Sequence, residues 1–211
     1  RDQPRSRGLG DVYKRQVWVL ALSSSFMYIS RYAINGWGVL FLQEIKGYTL
    51  ATATQVISVN ALCGIVGTVF SGWLSDAFFH GRRNVLAFGF GVLNTIALCL
   101  FLYSGDGLVV NILSMILFGV AIGVLICFLG GLMAIDIVPR EATGAALGIV
   151  GMASYVGAGL QDIVSGWLIN SGKTELEGVT SYNFDSAIIF WIAASAVSFI
   201  LALFVAKKSH R

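Results

Sequence analysis

Six apolar runs dominate this sequence and leave little else for it to fold around. They fall near residues 17–42, 51–75, 84–103, 108–135, 143–170 and 186–206. A helix needs about 20 mostly apolar residues to cross a bilayer core. Six such spans would take about 120 residues, which leaves only short connections in a chain of 211. A water-facing surface is excluded by the charge content. Charged residues make up 12% of the chain, where a soluble domain carries about 25%. The mean hydropathy is +0.79. The expectation is an all-α membrane protein with six transmembrane helices.

The breaks between the runs carry the orientation signal. Connections alternate between the two sides of a bilayer. One side holds Arg82, Arg83, Arg140, Lys207, Lys208 and Arg211, and the other holds Lys46 and Lys173. Cytoplasmic loops carry the excess of lysine and arginine. Both ends of the chain and the loop with Arg82 and Arg83 are therefore expected to be cytoplasmic. The acidic 171–185 loop is then expected to face outward.

Residues 1–16, RDQPRSRGLGDVYKRQ, do not belong to this pattern. They are polar and aperiodic, with neither the apolar core nor the cleavage site of a signal peptide. They read as a non-native leader resembling translated adapter sequence, or as a disordered basic arm. The expected organisation is a leader over 1–16, a six-helix domain over 17–207 and a tail over 208–211.

Several function classes fall away. Cys63, Cys99 and Cys127 each lie inside an apolar run without CxxC spacing, as small apolar residues do. His80 and His210 sit at water edges. Neither set suggests a metal site, and no prosthetic group is implied. There is no GxSxG, HExxH, P-loop or dinucleotide-binding turn, so an enzyme is not expected. The modest net charge of +3 gives no support for nucleic-acid binding.

Chemistry concentrates where charge lies inside a span. Arg31 and Asp162 are the two charged residues well inside the runs. A charge at the bilayer centre costs roughly 2.5–3.5 kcal/mol even on the lenient insertion scale, so it calls for a cavity, a partner or a ligand. Ser24, Tyr28, Arg31 and Asn35 fall on one helix face at spacings of about one turn. The planar guanidinium fork suits phosphate or carboxylate. Arg31 reads either as an anion-binding residue facing a cavity or as one half of a structural salt bridge with Asp162. Asp162, on a stripe with Ser154, Ala158, Gln161 and Ser165, reads as a substrate-hydroxyl acceptor, a proton-linked carboxylate or a fixed counter-charge. Asn60 on the second run is a further candidate, against the plainer role of joining helices. Gly119 and Gly123, and Gly144 and Gly148, have the spacing of close helix packing.

GWLSDAFFHGRRN, between the second and third runs, brings Asp76, Arg82 and Arg83 together. Asp76 is placed to pair with an arginine or with a helix N-terminus. Such a contact would act as a conformational gate on the cytoplasmic side, where the alternative is simple anchoring by positive charge.

That segment resembles the loop signature of the major facilitator superfamily. Together with SRYAINGWGVLFLQE and GLMAIDIVPREATGAALGIVGMASYVGAGL, it is similar to the C-terminal half of the organophosphate:phosphate antiporter family, over about residues 17–207. That family includes glycerol-3-phosphate and hexose-phosphate transporters and a hexose-phosphate sensor. The resemblance implies helices seven to twelve of a twelve-helix transporter in a bacterial inner membrane. It implies exchange of an organic phosphate for inorganic phosphate by alternating access, with Arg31 as the phosphate arginine of this half. A six-helix N-terminal half would supply a second arginine. The substrate-binding set is then expected to be Arg31, Tyr28, Asn35, Asn60, Gln161 and Asp162, with Asp76, Arg82 and Arg83 as the gate. Departures from the family pattern are Ala61 where an acidic residue is common, Leu125-Ile126 where a Gly-Pro pair is common, and Gly36 where an Asp often precedes the Trp. The other readings are a transporter-like sensor, a carrier for another organic anion, or a half-size protein that dimerises.

Overall fold

The computed structural model describes residues 15–78, 83–176 and 179–205. Most of the expected leader, Arg82 of the expected gate and the expected tail over 208–211 lie outside the described residues. Six helices long and apolar enough to cross a membrane are present among them. They are α1 (Arg15–Lys46), α2 (Leu50–Phe78), α3 (Arg83–Tyr103), α4 (Leu108–Ile137), α5 (Thr143–Ser171) and α6 (Asp185–Leu203). In the first, Arg15 and Gln16, which precede the apolar run, are already helical.

Local chemistry ends the helices where the sequence breaks. Gly47 terminates α1 with φ 69, in the left-handed region that glycine enters without a Cβ penalty. The Tyr48 N–H then returns to the Leu42 carbonyl at 3.0 Å. Pro139 follows α4, and Val138 before it is extended (φ −116, ψ 156), as a residue preceding proline must be. Between α5 and α6 the longest connection forms a short antiparallel hairpin of β1 (Thr174–Leu176) and β2 (Val179–Ser181), with Glu175 opposite Thr180. The polar, acidic composition of this loop does not by itself point to strands.

α4 is interrupted by a π-helical turn at Phe128–Leu132. Such turns insert one extra residue and are frequent at functional sites.

Two parallel pairs form the frame, α2 with α4 and α1 with α5, and α3 and α6 pack across them. Glycines set both spacings. A Cβ on Gly119 would meet the Asn60 backbone, and one on Gly123 would overlap the Gly64 carbonyl of α2. A Cβ on Gly157 of α5 would come within 2.9 Å of the Ser25 carbonyl of α1. Gly144 and Gly148 share the spacing of the α4 pair but meet nothing within 4 Å. Identical spacing thus marks a helix contact in one span and an open face in another.

Several polar side chains inside the bundle pair with one another, which offsets their burial among apolar groups. Ser23 and Ser198 each donate to the other's carbonyl, at 2.8 and 2.7 Å, joining α1 to α6. Asn94 of α3 donates to Ser195 of α6 at 2.8 Å and to Ser30 of α1 at 3.4 Å. Lys46 is not the loop charge that its place in the sequence suggests. It is 9% exposed, and its Nζ donates to the Phe101 carbonyl and the Asn111 carboxamide, each at 2.5 Å, and to Ser104 at 3.2 Å. It ties α1, α3 and α4 together at the end of the bundle that carries the hairpin.

Candidate functional site

Arg31 lies near the midpoint of the 32-residue α1 and is half-buried. Its guanidinium carbon stands 5.6 Å from the centre of the Tyr28 ring and 5.5 Å from that of Tyr32. Tyr155 of α5 closes the group edge-on, 5.6 Å from Tyr28 and 6.5 Å from Tyr32. Ring faces attract a cation and hold a guanidinium plane in place. No carboxylate lies within 4.0 Å of Arg31 among the described residues, whose ion pairs are Arg83–Asp136 and Lys173–Glu175. Of the two roles open to Arg31 in the sequence, the fixed salt bridge with Asp162 is therefore not the one the structure holds.

A cavity of about 400 Å³ opens beside Arg31, between α1, α2 and α4. Asn35 and Asn60 line it. Asn60 Nδ2 donates to the Ile57 carbonyl at 2.5 Å and to Asn35 Oδ1 at 3.4 Å, which leaves the Asn35 amide nitrogen and the Asn60 oxygen available to a ligand. Arg31, Asn35 and Asn60, singled out from the sequence, thus share one wall, and Tyr28 backs the arginine.

The rest of the expected set falls elsewhere. Asp162 is exposed on α5, beside Gly36, where an added Cβ would lie 3.4 Å from Asp162 Oδ1. Gly36 is five residues past Arg31, about 7.5 Å further along the α1 axis. Asp162 therefore flanks the site towards the hairpin end. Gln161 is fully buried and points into the bundle. Its Nε2 donates to Ser165 Oγ at 2.9 Å, which also accepts from Trp191 of α6 at 2.8 Å. Neither Gln161 nor Asp162 lines the cavity, whose walls come from α1, α2 and α4. Ser24 is used in packing, 2.7 Å from Ser154 Oγ.

Of the expected gate, Asp76 and Arg83 are described and Arg82 is not. Asp76 is exposed near the end of α2. Arg83 bonds instead to Asp136 of α4 at 2.8 Å and to the Leu132 carbonyl at 3.2 Å. The second partner belongs to the π-helical turn.

Sequence reasoning missed Tyr32, Tyr155 and the role of Asp136. One signal was available for Tyr155. It stands seven residues before Asp162, two turns along the same helix face. Among the described residues, no three His, Cys, Asp or Glu side chains group where a metal ion would need them.

Residues 2–160 match the Major Facilitator Superfamily. Curated relatives agree in kind. The chain is 34% identical over 146 residues to a glycerol-3-phosphate transporter of Bacillus subtilis, covering 67% of this chain and 32% of that protein. It is 35% identical over 156 residues to the membrane sensor protein UhpC of Salmonella typhimurium, covering 72% and 33%. It is 32% identical over 149 residues to a probable hexose phosphate transport protein of Chlamydia trachomatis, covering 67% and 31%. The chain thus spans about a third of the length of these relatives.

Proposed function

Because this chain belongs to the major facilitator superfamily, a family of membrane transporters rather than enzymes, and its relatives handle organic phosphates, we propose that it is half of an organic-phosphate carrier. In this reading, the complete protein exchanges an organic phosphate, such as a sugar phosphate or glycerol 3-phosphate, for inorganic phosphate by alternating access. The observation that carries it is Arg31, a mid-span guanidinium set against two tyrosine rings at a cavity wall, with no carboxylate partner among the described residues. A permanent cation in that setting is stabilised by an anion that comes and goes. Phosphate takes the guanidinium fork, and Asn35 and Asn60 offer one donor and one acceptor to the rest of the ester. Asp162 accepts from the organic part towards the hairpin end.

A second six-helix half completes the site. The exposed faces of α2 and α5 support this. Both helices bury less of their apolar surface than α1 and α4 do. Leu62, Val66 and Phe70 form an exposed stripe on α2, and Met152, Val156 and Leu160 one on α5. A bacterial inner membrane with both chain ends cytoplasmic fits the charge pattern. Burial of Lys46 removes it from the outward count, and Lys173 is paired with Glu175 at 2.5 Å.

The test is phosphate-loaded vesicles holding the complete protein. Entry of labelled phosphate driven by trapped phosphate, inhibited by phosphate esters, is the expected result. Absence of inhibition by any phosphate compound would sink the reading. Similarity to UhpC supports a sensor as the second reading, and saturable ester binding without flux would select it.

A further inference from the structure

A second cavity, of about 550 Å³, opens at the hairpin end, between the last turns of α1 and α3, the hairpin and the start of α6. It shares no lining residue with the cavity beside Arg31. Its depth is apolar, with Phe41, Leu102, Phe184 and Ile188 all buried. Its rim is polar. Thr174 and Ser181 of the hairpin stand there with Ser104, and Asp185 is the charged residue of the lining. The Asp185 side chain is exposed and takes no part in the ion pairs of the described residues. Ser104 Oγ accepts from Lys46 Nζ at 3.2 Å, which leaves its own hydrogen free to donate. The helix ends place this rim in the membrane. α3 has 21 residues and α6 has 19, about the number that crosses a bilayer core. Tyr103 and Asp185, at their ends, therefore fall where hydrocarbon meets headgroups. Tyr103 is 68% exposed beside the cavity, and tyrosine is enriched at that level.

We infer that this cavity seats a phospholipid whose headgroup carries a primary amine. The ammonium pairs with Asp185, the phosphate takes the hydroxyls of Ser104, Thr174 and Ser181, and the first methylenes of the chains fill the apolar depth. Charge selects this occupant. A carboxylate repels an anionic headgroup, and a quaternary ammonium has no hydrogen to give it, whereas a primary ammonium makes a charge-assisted hydrogen bond. Behind Ser104, the Lys46 ammonium supplies the positive field that a phosphate needs. Asp185 also lies in the first turn of α6, where a negative charge complements the helix dipole. That contribution is the same in every lipid, so a comparison between lipids isolates the headgroup contact.

The experiment uses the complete protein containing this chain, purified in detergent and stripped of lipid, with its thermal midpoint as the readout. Phosphatidylethanolamine, phosphatidylcholine and phosphatidylglycerol of matched chains are titrated in turn. Phosphatidylethanolamine is expected to reach its half-maximal stabilisation at about fivefold lower concentration than the other two, the scale of one partly exposed ion pair. Asp185→Asn should abolish that preference, bringing the three lipids level, whatever it does to the midpoint without lipid. Ile45→Trp, at an exposed position on the lip of the cavity, should weaken the response to phosphatidylethanolamine with Asp185 still in place, and it serves if Asp185→Asn does not accumulate. Equal stabilisation by the three lipids, or a preference for phosphatidylglycerol, overturns the inference. A preference that survives either substitution places the lipid elsewhere on the protein and overturns it as well. No substrate enters the measurement, so its failure leaves the carrier reading of Arg31 as it stands.

Discussion

Arg83 Nη1 lies 2.8 Å from Asp136 Oδ1, joining the first turn of α3 to the end of α4 across 53 positions of sequence. The two side chains are 21% and 23% exposed. Screening by water is therefore partial, and the pair sits between the surface and buried regimes. Because Arg83 also holds the Leu132 carbonyl, it couples the ion pair to the π-helical turn.

That arrangement predicts a thermodynamic cycle. Arg83→Gln and Asp136→Asn should each destabilise the detergent-solubilised complete protein, and the double variant should cost little more than either alone. A coupling of about 1 kcal/mol is expected for a half-buried pair. Thermal denaturation of the four proteins measures it, and strictly additive losses would show that the contact contributes nothing.

At the cavity, Arg31→Lys keeps the charge but loses the planar fork and the stacking on Tyr28 and Tyr32. Phosphate exchange should fall about 100-fold or more while the amount of protein in the membrane is unchanged. Uptake per milligram of transporter is the measurement. A variant within a few-fold of the parent would remove Arg31 from the phosphate site.

Tyr155 is expected to act through its ring. Tyr155→Phe preserves the edge-on contacts with Tyr28 and Tyr32 and should leave exchange close to normal. Tyr155→Ala removes a ring pair contributing about 0.5–1.5 kcal/mol and should raise the half-saturating phosphate concentration several-fold. If the Phe variant were as impaired as the Ala variant, the hydroxyl, not the ring, would be the functional group.

The glycine contacts separate two substitutions that look alike in sequence. Gly123→Val forces α2 and α4 apart at the Gly64 carbonyl and should prevent accumulation of folded protein. Gly148→Val enters open space on α5 and should leave the fold of this half intact. Monodisperse yield from size-exclusion chromatography in detergent distinguishes them.

Lys46→Met should destabilise the hairpin end by about 1–3 kcal/mol, because Asn111 and the Phe101 carbonyl each lose a charged donor in a buried setting. Hydrogen exchange at the α3–α4 turn is the sensitive readout. Unchanged protection there would show that water replaces the ammonium at no cost.

The six spans were legible because bilayer thickness sets a length that a run of apolar residues either meets or fails. Arg31 was legible because a mid-span charge has few explanations. The partners of these residues were not legible. Tyr155 reaches Tyr28 only because α1 and α5 run parallel at a distance set by Gly157 and Ser25. Gln161 and Asp162 occupy one stripe in sequence, yet one turns to Trp191 inside the bundle and the other to Gly36 at its edge. Asp136 looked like a helix end, and its pairing with Arg83 depends on the backbone winding of the preceding turn.

That winding has a consequence for phase. A residue inserted into a helix rotates everything after it by about 100° relative to everything before. Upstream of Phe128–Leu132, α4 faces α2 through Gly119 and Gly123. Downstream, the same helix turns Asp136 towards Arg83. The wide turn lets a single span serve two neighbours whose directions a regular helix could not satisfy together. Deleting Gly130 would restore the regular pitch and swing the carboxylate off its partner, leaving the glycine seam untouched.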